Sequence, residues 1–281
     1  MTRNARRAIF FLATIIFLAV GYTAILYAQG YRYDFVQARF SRTGAVSLRA
    51  NTQANVFVDG VKKDTTSFIT NSASVSGLLP GVYTVKVQKD DYSKWQKKVT
   101  VQEGYVQDFP HVILLPMAGT DRENVMGEIK ELLYPAVPSP KPTVTPIPTV
   151  TKTPRPSPTP APTPDITGPY YIDKKTLFIN SPDGPISVAT GVSDAFRSPD
   201  GQKLIWFVGN QVWLYWLNDQ NEQPFHKAGD IAVIGRFSQP IKAISWFRGN
   251  AHIAVDADLP GQGTFKVIEI DTRGGQNIIS L

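Results

Sequence analysis

From Ala8 to Tyr27 the chain reads AIFFLATIIFLAVGYTAILY, twenty residues without a charge. As a helix rising 1.5 Å per residue, such a stretch is about 30 Å long, which matches the hydrocarbon core of a bilayer. Arg3, Arg6 and Arg7 precede it, and Tyr22, Tyr27, Tyr31 and Tyr33 fall where interfacial aromatics collect. A transmembrane helix over 8–27 is expected, with the lipid bilayer as its first partner. A cleaved signal peptide has a shorter apolar core, about 7–15 residues, and a small-x-small cleavage site. Here Leu26 stands two places before Ala28. An uncleaved signal-anchor is favoured, cleavage stays open, and a buried core helix is disfavoured because no polar face is visible. The basic flanks nearly balance, since Arg32, Arg39 and Arg42 follow the helix. Residues 1–7 contain no acid whereas Asp34 dilutes the far side, so 1–7 is read as a cytoplasmic tip. The expected location is the cell membrane, single-pass, with the C-terminal part extracytoplasmic.

The net charge of +6 raises the question of nucleic acid, but the excess is not on one folded segment. Residues 1–7 carry +3, 30–134 carry +2, the following proline-rich stretch +2, and 170–281 carry −1. A nucleic-acid surface concentrates its basic residues on one face, so that partner is excluded. The absence of cysteine removes disulfides, thiolate metal ligands and thiol nucleophiles.

Beyond the helix the hydropathy pattern changes period. Residues 44–116 alternate as strands do. Val56 and Val58 share a face before a turn at Asp59–Gly60; Tyr83, Val85 and Val87 share another; Trp95, Val99 and Val101 oppose Gln96, Lys98, Thr100 and Gln102. Val112 to Leu115 is a continuous apolar run. One face in and one face out predicts an antiparallel sheet packed on one side. Residues 120–134 place Val125, Ile129, Leu132 and Leu133 at helical spacing, with Thr120 and Glu123 as a capping box, and predict a short amphipathic helix over an edge of the preceding sheet. Residues 135–169, PAVPSPKPTVTPIPTVTKTPRPSPTPAPTPDITGP, hold most of the chain's 22 prolines and cannot bury a core. Such a disordered linker favours polyproline II, at about 3.1 Å per residue, and reads as a stalk or spacer between modules.

Residues 170–281 return to strands. Leu204 to Val208 and Val212 to Leu217 flank Gly209–Asn210–Gln211 as a hairpin, and Ile253 to Val255 pairs with Phe265 to Ile270 across a glycine-containing loop. RSPDGQKLIWF at 197–207 lines up with WFRGNAHIAVD at 246–256, an offset of 49 residues. A weak repeat of this length suggests propeller blades. Closed propellers use about four to eight blades, and this stretch has room for two to three, so the module is read as incomplete or as a different β domain.

Two family resemblances follow from these residues. VFVDG at 56–60, LLPGVYTVKVQK at 78–89, DYSKW at 91–95, KVTVQEG at 98–104 and VILLP at 112–116 resemble the PEGA domain family. The resemblance implies a small extracytoplasmic β-sandwich of bacterial and archaeal surface proteins; it does not imply catalysis. Phe196-Arg197-Ser198-Pro199-Asp200-Gly201 followed by a strand is similar to TolB-like propeller repeats.

Chemistry is sparse. His111, His226 and His252 lie on separate segments without metal spacing. There is no nucleophile elbow and no phosphate-binding glycine loop before a helix. Asp90 with Asp91, and Asp256 with Asp258, are read as turn residues. No catalytic residue, cofactor or metal ligand is assigned. Tyr92, Lys94, Trp95, Lys97 and Lys98 cluster around one predicted hairpin and form the candidate ligand surface. An aromatic ring can stack there while lysines pair with anionic polymers or sugars; a solvated hairpin with Trp95 in the core is the simpler reading. Trp206, Trp213, Trp216 and Trp246 read as the core of the repeat module.

The fold expected is therefore mainly β: a transmembrane helix, a small antiparallel β-sandwich, a Pro/Thr-rich linker and an incomplete propeller-like β-repeat module. The expected function is non-enzymatic presentation of extracytoplasmic modules to a cell-wall glycan or an envelope protein. The alternatives are a membrane-tethered enzyme subunit whose active part lies outside this chain, or a TolB-like transport accessory.

Overall fold

The computed structural model describes residues 2–135, 168–257 and 265–281. All but the ends of the Pro/Thr-rich linker lies outside these residues, as do Asp258 and the glycine-containing stretch 261–263 that the sequence places in a loop. The chain divides into two compact units. One comprises Met1–Gly119 with Asp271–Asn277; the other comprises Thr120–Ile270 with Ile278–Leu281.

The first unit begins with α1 (Arg3–Ala28), in which Thr2 caps the N-terminus by accepting from the Ala5 N–H. The helix is long and apolar enough to cross a membrane, and none of its residues is buried against protein. It covers the predicted 8–27 and extends by a turn over the three arginines. A hairpin absent from the sequence expectation follows, β1 (Tyr31–Asp34) with β2 (Arg39–Arg42). Asp34 shapes its turn by accepting from the N–H groups of Val36 and Gln37 at 2.8 and 3.1 Å. Tyr33 meets Phe35 and Phe40 edge-on, with ring centroids 5.0 and 5.3 Å apart.

The rest of this unit is a two-sheet sandwich. Its strands are β3 (Gly44–Ala50), β4 (Asn55–Val58), β5 (Val61–Thr65), β6 (Ser72–Leu78), β7 (Gly81–Gln88), β8 (Trp95–Val101) and β9 (Val106–Val112). They form sheets of order β6-β3-β9 and β5-β4-β7-β8. Val46, Leu48, Phe109 and Val112 from the first sheet share one core with Val56, Val58, Val85, Val87, Trp95 and Val99 from the second. Alternation works as expected on β8, where Trp95, Lys97, Val99 and Val101 are buried and the residues between them exposed. The β4–β5 turn places Asp59 and Gly60 at φ 49° and 79°. That is the two-residue geometry that follows strand twist and that Asp-Gly supports. One expectation is corrected: the sandwich is not wholly antiparallel, because β3 runs parallel to β9. Parallel neighbours need a long connection, and here the other five strands of the sandwich lie between them in sequence.

Among the described residues the second unit holds α2 (Gly119–Leu133) from Thr120 onward and eleven strands. These are β10 (Tyr170–Asp173), β11 (Thr176–Ser181), β12 (Gly184–Thr190), β13 (Ala195–Arg197), β14 (Lys203–Val208), β15 (Gln211–Trp216), β16 (Ile231–Arg236), β17 (Ile241–Trp246), β18 (His252–Ala257), β19 (Phe265–Glu269) and β20 (Ile278–Ser280). They make three antiparallel meanders in chain order: β10-β11-β12, β13-β14-β15-β16 and β17-β18-β19-β20. Leu204 and Trp206 of the middle sheet join Leu177 and Ile179 of the first in one core. Ile205, Val212 and Leu214 join Ile244, Ile253 and Val255 of the third in another. The middle sheet is thus buried on both faces.

The repeat seen at an offset of 49 residues is carried by the backbone. The Ser198 N–H donates to the Lys203 carbonyl at 2.8 Å, and the equivalent Phe247 N–H donates to His252 at 2.9 Å. A further bond recurs in all three meanders. The residue just before the second strand accepts from a residue after the third: Lys175 from Val192, Gln202 from Leu217, and Ala251 from Ile270, at 3.0, 2.8 and 3.0 Å.

Helix α2 buries Val125, Ile129 and Leu133, while Leu132 stays exposed. It belongs to the second unit, where Glu128 receives three bonds from Arg248 and the Tyr134 hydroxyl donates to Asp256 Oδ2 at 2.6 Å. An apolar stripe alone does not choose its partner. These polar ties lie more than a hundred residues away in sequence.

Candidate functional site

The five residues singled out from the sequence are divided by the pleat of β8. Lys94 and Lys98 are exposed, and Tyr92 is half-buried with Lys89 Nζ 4.1 Å from its ring centre. Trp95 faces the core, edge-on to Phe109 at 5.3 Å. Lys97 also faces inward, its side chain 0% exposed. Its ammonium donates to the backbone carbonyls of Asp271 and, at 3.1 Å, Gly275, with an Asp271 carboxylate oxygen at 3.9 Å. A buried lysine needs such partners, because an unpaired ammonium is strongly disfavoured away from water. The exposed remainder is therefore two lysines and one edge of a tyrosine.

The segment Asp271–Asn277, placed between β19 and β20 in sequence, is part of the first unit. It lines the outer edge of β8. The Lys98 N–H donates to the Gly274 carbonyl at 2.8 Å, and the Gln96 N–H to Asn277 Oδ1 at 3.0 Å. Arg273 lies 4.5 Å from the Phe109 ring centre and donates to the Asp108 carbonyl at 2.7 Å. Gly274 has φ +64°, and a Cβ there would collide with the Lys98 carbonyl. A free strand edge exposes unpaired backbone groups, and here they are partnered.

Among the described residues no group of three or more His, Asp or Glu side chains is placed to hold a metal. His111 is exposed and His226 stacks on Trp216 with ring centroids 3.7 Å apart. His252 is buried in β18, opposite Glu269 in register. Asp256 is not in a turn, as its sequence context suggested, but buried in the same strand. Lys266 is buried on β19, donates to Ser280 Oγ at 2.7 Å, and has its pKa lowered by burial. His252, Asp256 and Lys266 are thus buried within the third meander. Asp90 and Asp91 lie in a turn as expected.

A cleft of about 430 Å³ opens between the first and second meanders of the second unit. Val188, Ala189 and Thr190 of β12 form one wall; Trp206, Val208, Gln211 and Trp213 form the other, with Asn210 and Ile231 at its margin. Trp206 and Trp213 are register partners across β14 and β15, and their rings are nearly parallel, 5° apart with centroids at 6.3 Å. Compared with known proteins, the chain matches no family model and no curated sequence. The cleft is consequently judged on its own chemistry. No ionisable side chain lines it. The Nε1 of Trp206 is buried without a hydrogen-bond partner. The sequence marked both tryptophans as core: Trp206 is fully buried, and Trp213 packs against the same core while one part of it stays accessible. Asn210 and Gln211 were read only as a hairpin turn. Nothing local marked β12 as the opposite wall.

Proposed function

We propose that this protein is a membrane-tethered envelope protein that presents β modules on the extracytoplasmic side, where they bind protein or wall glycan rather than catalyse a reaction. The observation that carries this reading is α1, an apolar 26-residue helix with no residue buried against protein. Shielding such a surface from water is strongly favourable, and a bilayer does so. The hairpin that follows supports it. Phe35 and Val36 are 87% and 95% exposed at its tip, next to the Tyr33 and Phe40 rings, and Arg32 lies 4.3 Å from the Tyr27 ring centre. Aromatic and basic residues of this kind suit the headgroup region. The PEGA resemblance of 44–116 points to the same surface setting. Tethering raises the effective concentration of a weak binding face near its target.

A second reading, an accessory to envelope transport built from TolB-like repeats, draws on the closing hydrogen bond shared by the three meanders. Co-purification with transporter subunits would favour it.

The main reading is tested by shaving intact cells that express a C-terminally tagged chain with protease. Loss of the tag is the expected result. A protected tag in intact cells, cut only after lysis, would place the modules inside and overturn it.

A further inference from the structure

We propose that the cleft between the first two meanders of the second unit is a binding site for a neutral pyranose saccharide. The proposal deepens the glycan-binding part of the function above and rests on it for its biological setting. Its size, about 430 Å³, lies within the roughly 300–1,000 Å³ of small-molecule sites. Its lining excludes charged ligands, because nothing ionisable in it would compensate a buried phosphate, carboxylate or ammonium. This also sets it apart from the lysine-bearing face of β8.

The polar groups that remain are of two kinds. Trp213 Nε1, the Gln211 amide and the Thr190 hydroxyl offer donors, and none has a partner within the protein. Asn210 commits its amide N–H to the Phe237 carbonyl at 2.6 Å, which leaves its Oδ1 as an acceptor. A purely apolar ligand would leave all of these unmet, and a buried donor without a partner is destabilising by about 1–3 kcal/mol. Hydroxyl groups both donate and accept. A polyhydroxylated ring therefore answers the mixed set, while its C–H faces rest on the accessible part of the Trp213 indole and on Val188 and Ile231.

The test uses the full chain in a detergent without a sugar headgroup, titrated with chitotriose, cellotriose and maltotriose and followed by tryptophan fluorescence. At least one trisaccharide is expected to give a saturable change. Trp213→Ala should weaken that binding roughly tenfold or more, as loss of an aromatic anchor does. Gln211→Leu, at a half-exposed position that leaves the fold intact by circular dichroism, should weaken it about threefold. Lys94→Ala and Lys98→Ala should leave it unchanged. No saturation with any of the three below about 10 mM overturns the proposal. So does saturation that Gln211→Leu leaves intact, or that the lysine variants abolish. Binding limited to an apolar dye overturns it as well. The two readings fail separately. A shaved tag with no saccharide binding removes the site and keeps the tether, whereas a protected tag with saccharide binding keeps the site and removes the extracytoplasmic setting.

Discussion

Strand β8 of the sandwich and strand β14 of the middle meander hide different numbers of faces. Along β8 the buried residues alternate with exposed ones, since one side meets the shared core and the other meets solvent. Along β14 Lys203, Leu204, Ile205 and Trp206 are buried in succession, because a sheet lies against each side. The difference extends to closure. The sandwich pairs its first strand with its last and lines the edge of β8 with a segment from far along the chain. The meanders bond neighbour to neighbour, and each repeats the same closing hydrogen bond. One unit is organised by long-range contacts and the other by a local motif used three times. Long-range pairing has to overcome more loop-closure entropy than local pairing does.

The largest expected effects test the count of faces. On β8, Trp95→Ala should lower stability by about 3–5 kcal/mol, while Gln96→Ala, exposed beside it, should change it by less than about 0.5 kcal/mol. On β14 the consecutive substitutions Ile205→Ala and Trp206→Ala should each destabilise by about 2–5 kcal/mol. Denaturant titration of the four variants checks this, and an alternating result on β14 would break the comparison.

A middle-sized effect tests the closure. Lys97→Met strips two carbonyls of their ammonium donor, and Gly274→Ala places a methyl against the Lys98 carbonyl at a positive φ. Each should destabilise the first unit by about 1–3 kcal/mol, measured by denaturant unfolding. Were the edge of β8 free, neither substitution would register.

The smallest effect concerns the turn of the middle meander. Burial of Asp200 opposes ionisation. Bonds from Ser198 Oγ, the Gln202 N–H and Asn250, with Lys203 Nζ 3.6 Å away, outweigh it and lower the pKa. A carboxylate depressed on folding contributes stability above its ordinary range, about 3.9, and loses it as pH falls through the lowered value. Because Asp200 is partly exposed, the contribution is screened and small. Asp200→Asn should lower the second unit's thermal transition slightly at neutral pH and flatten its fall below about pH 4, where the wild-type chain loses the same contribution.

The elements legible in the sequence share a cause. Helix α1, helix α2, the β4–β5 turn and the β14–β15 hairpin each rest on a run of apolar spacing or on a turn residue suited to its geometry. The β1–β2 hairpin was missed because residues 31–42 mix arginines and aromatics without an Asn-Gly or Asp-Gly turn. Its one signal was Asp34, whose side chain caps the turn. Lys97 sits at an alternate position with Trp95 and Val99, so period two already placed it inward. Its charge argued the other way, and the carbonyl that settles the matter is 174 residues distant. In the cleft, the two indoles were visible in the sequence, but their exposure was not, because it depends on where β12 lies.

Spacing and turn chemistry alone determined that the chain carries one membrane-length helix, two β-rich stretches and a proline-rich connection between them. These are local properties, set by residues within a few positions of one another. Only the tertiary structure decided which unit receives α2, what covers Lys97, that β3 runs alongside β9, and that Trp213 lines a cleft. Each of those outcomes depends on which distant surface comes to face a side chain, and burial is a property of the pair of surfaces rather than of either segment.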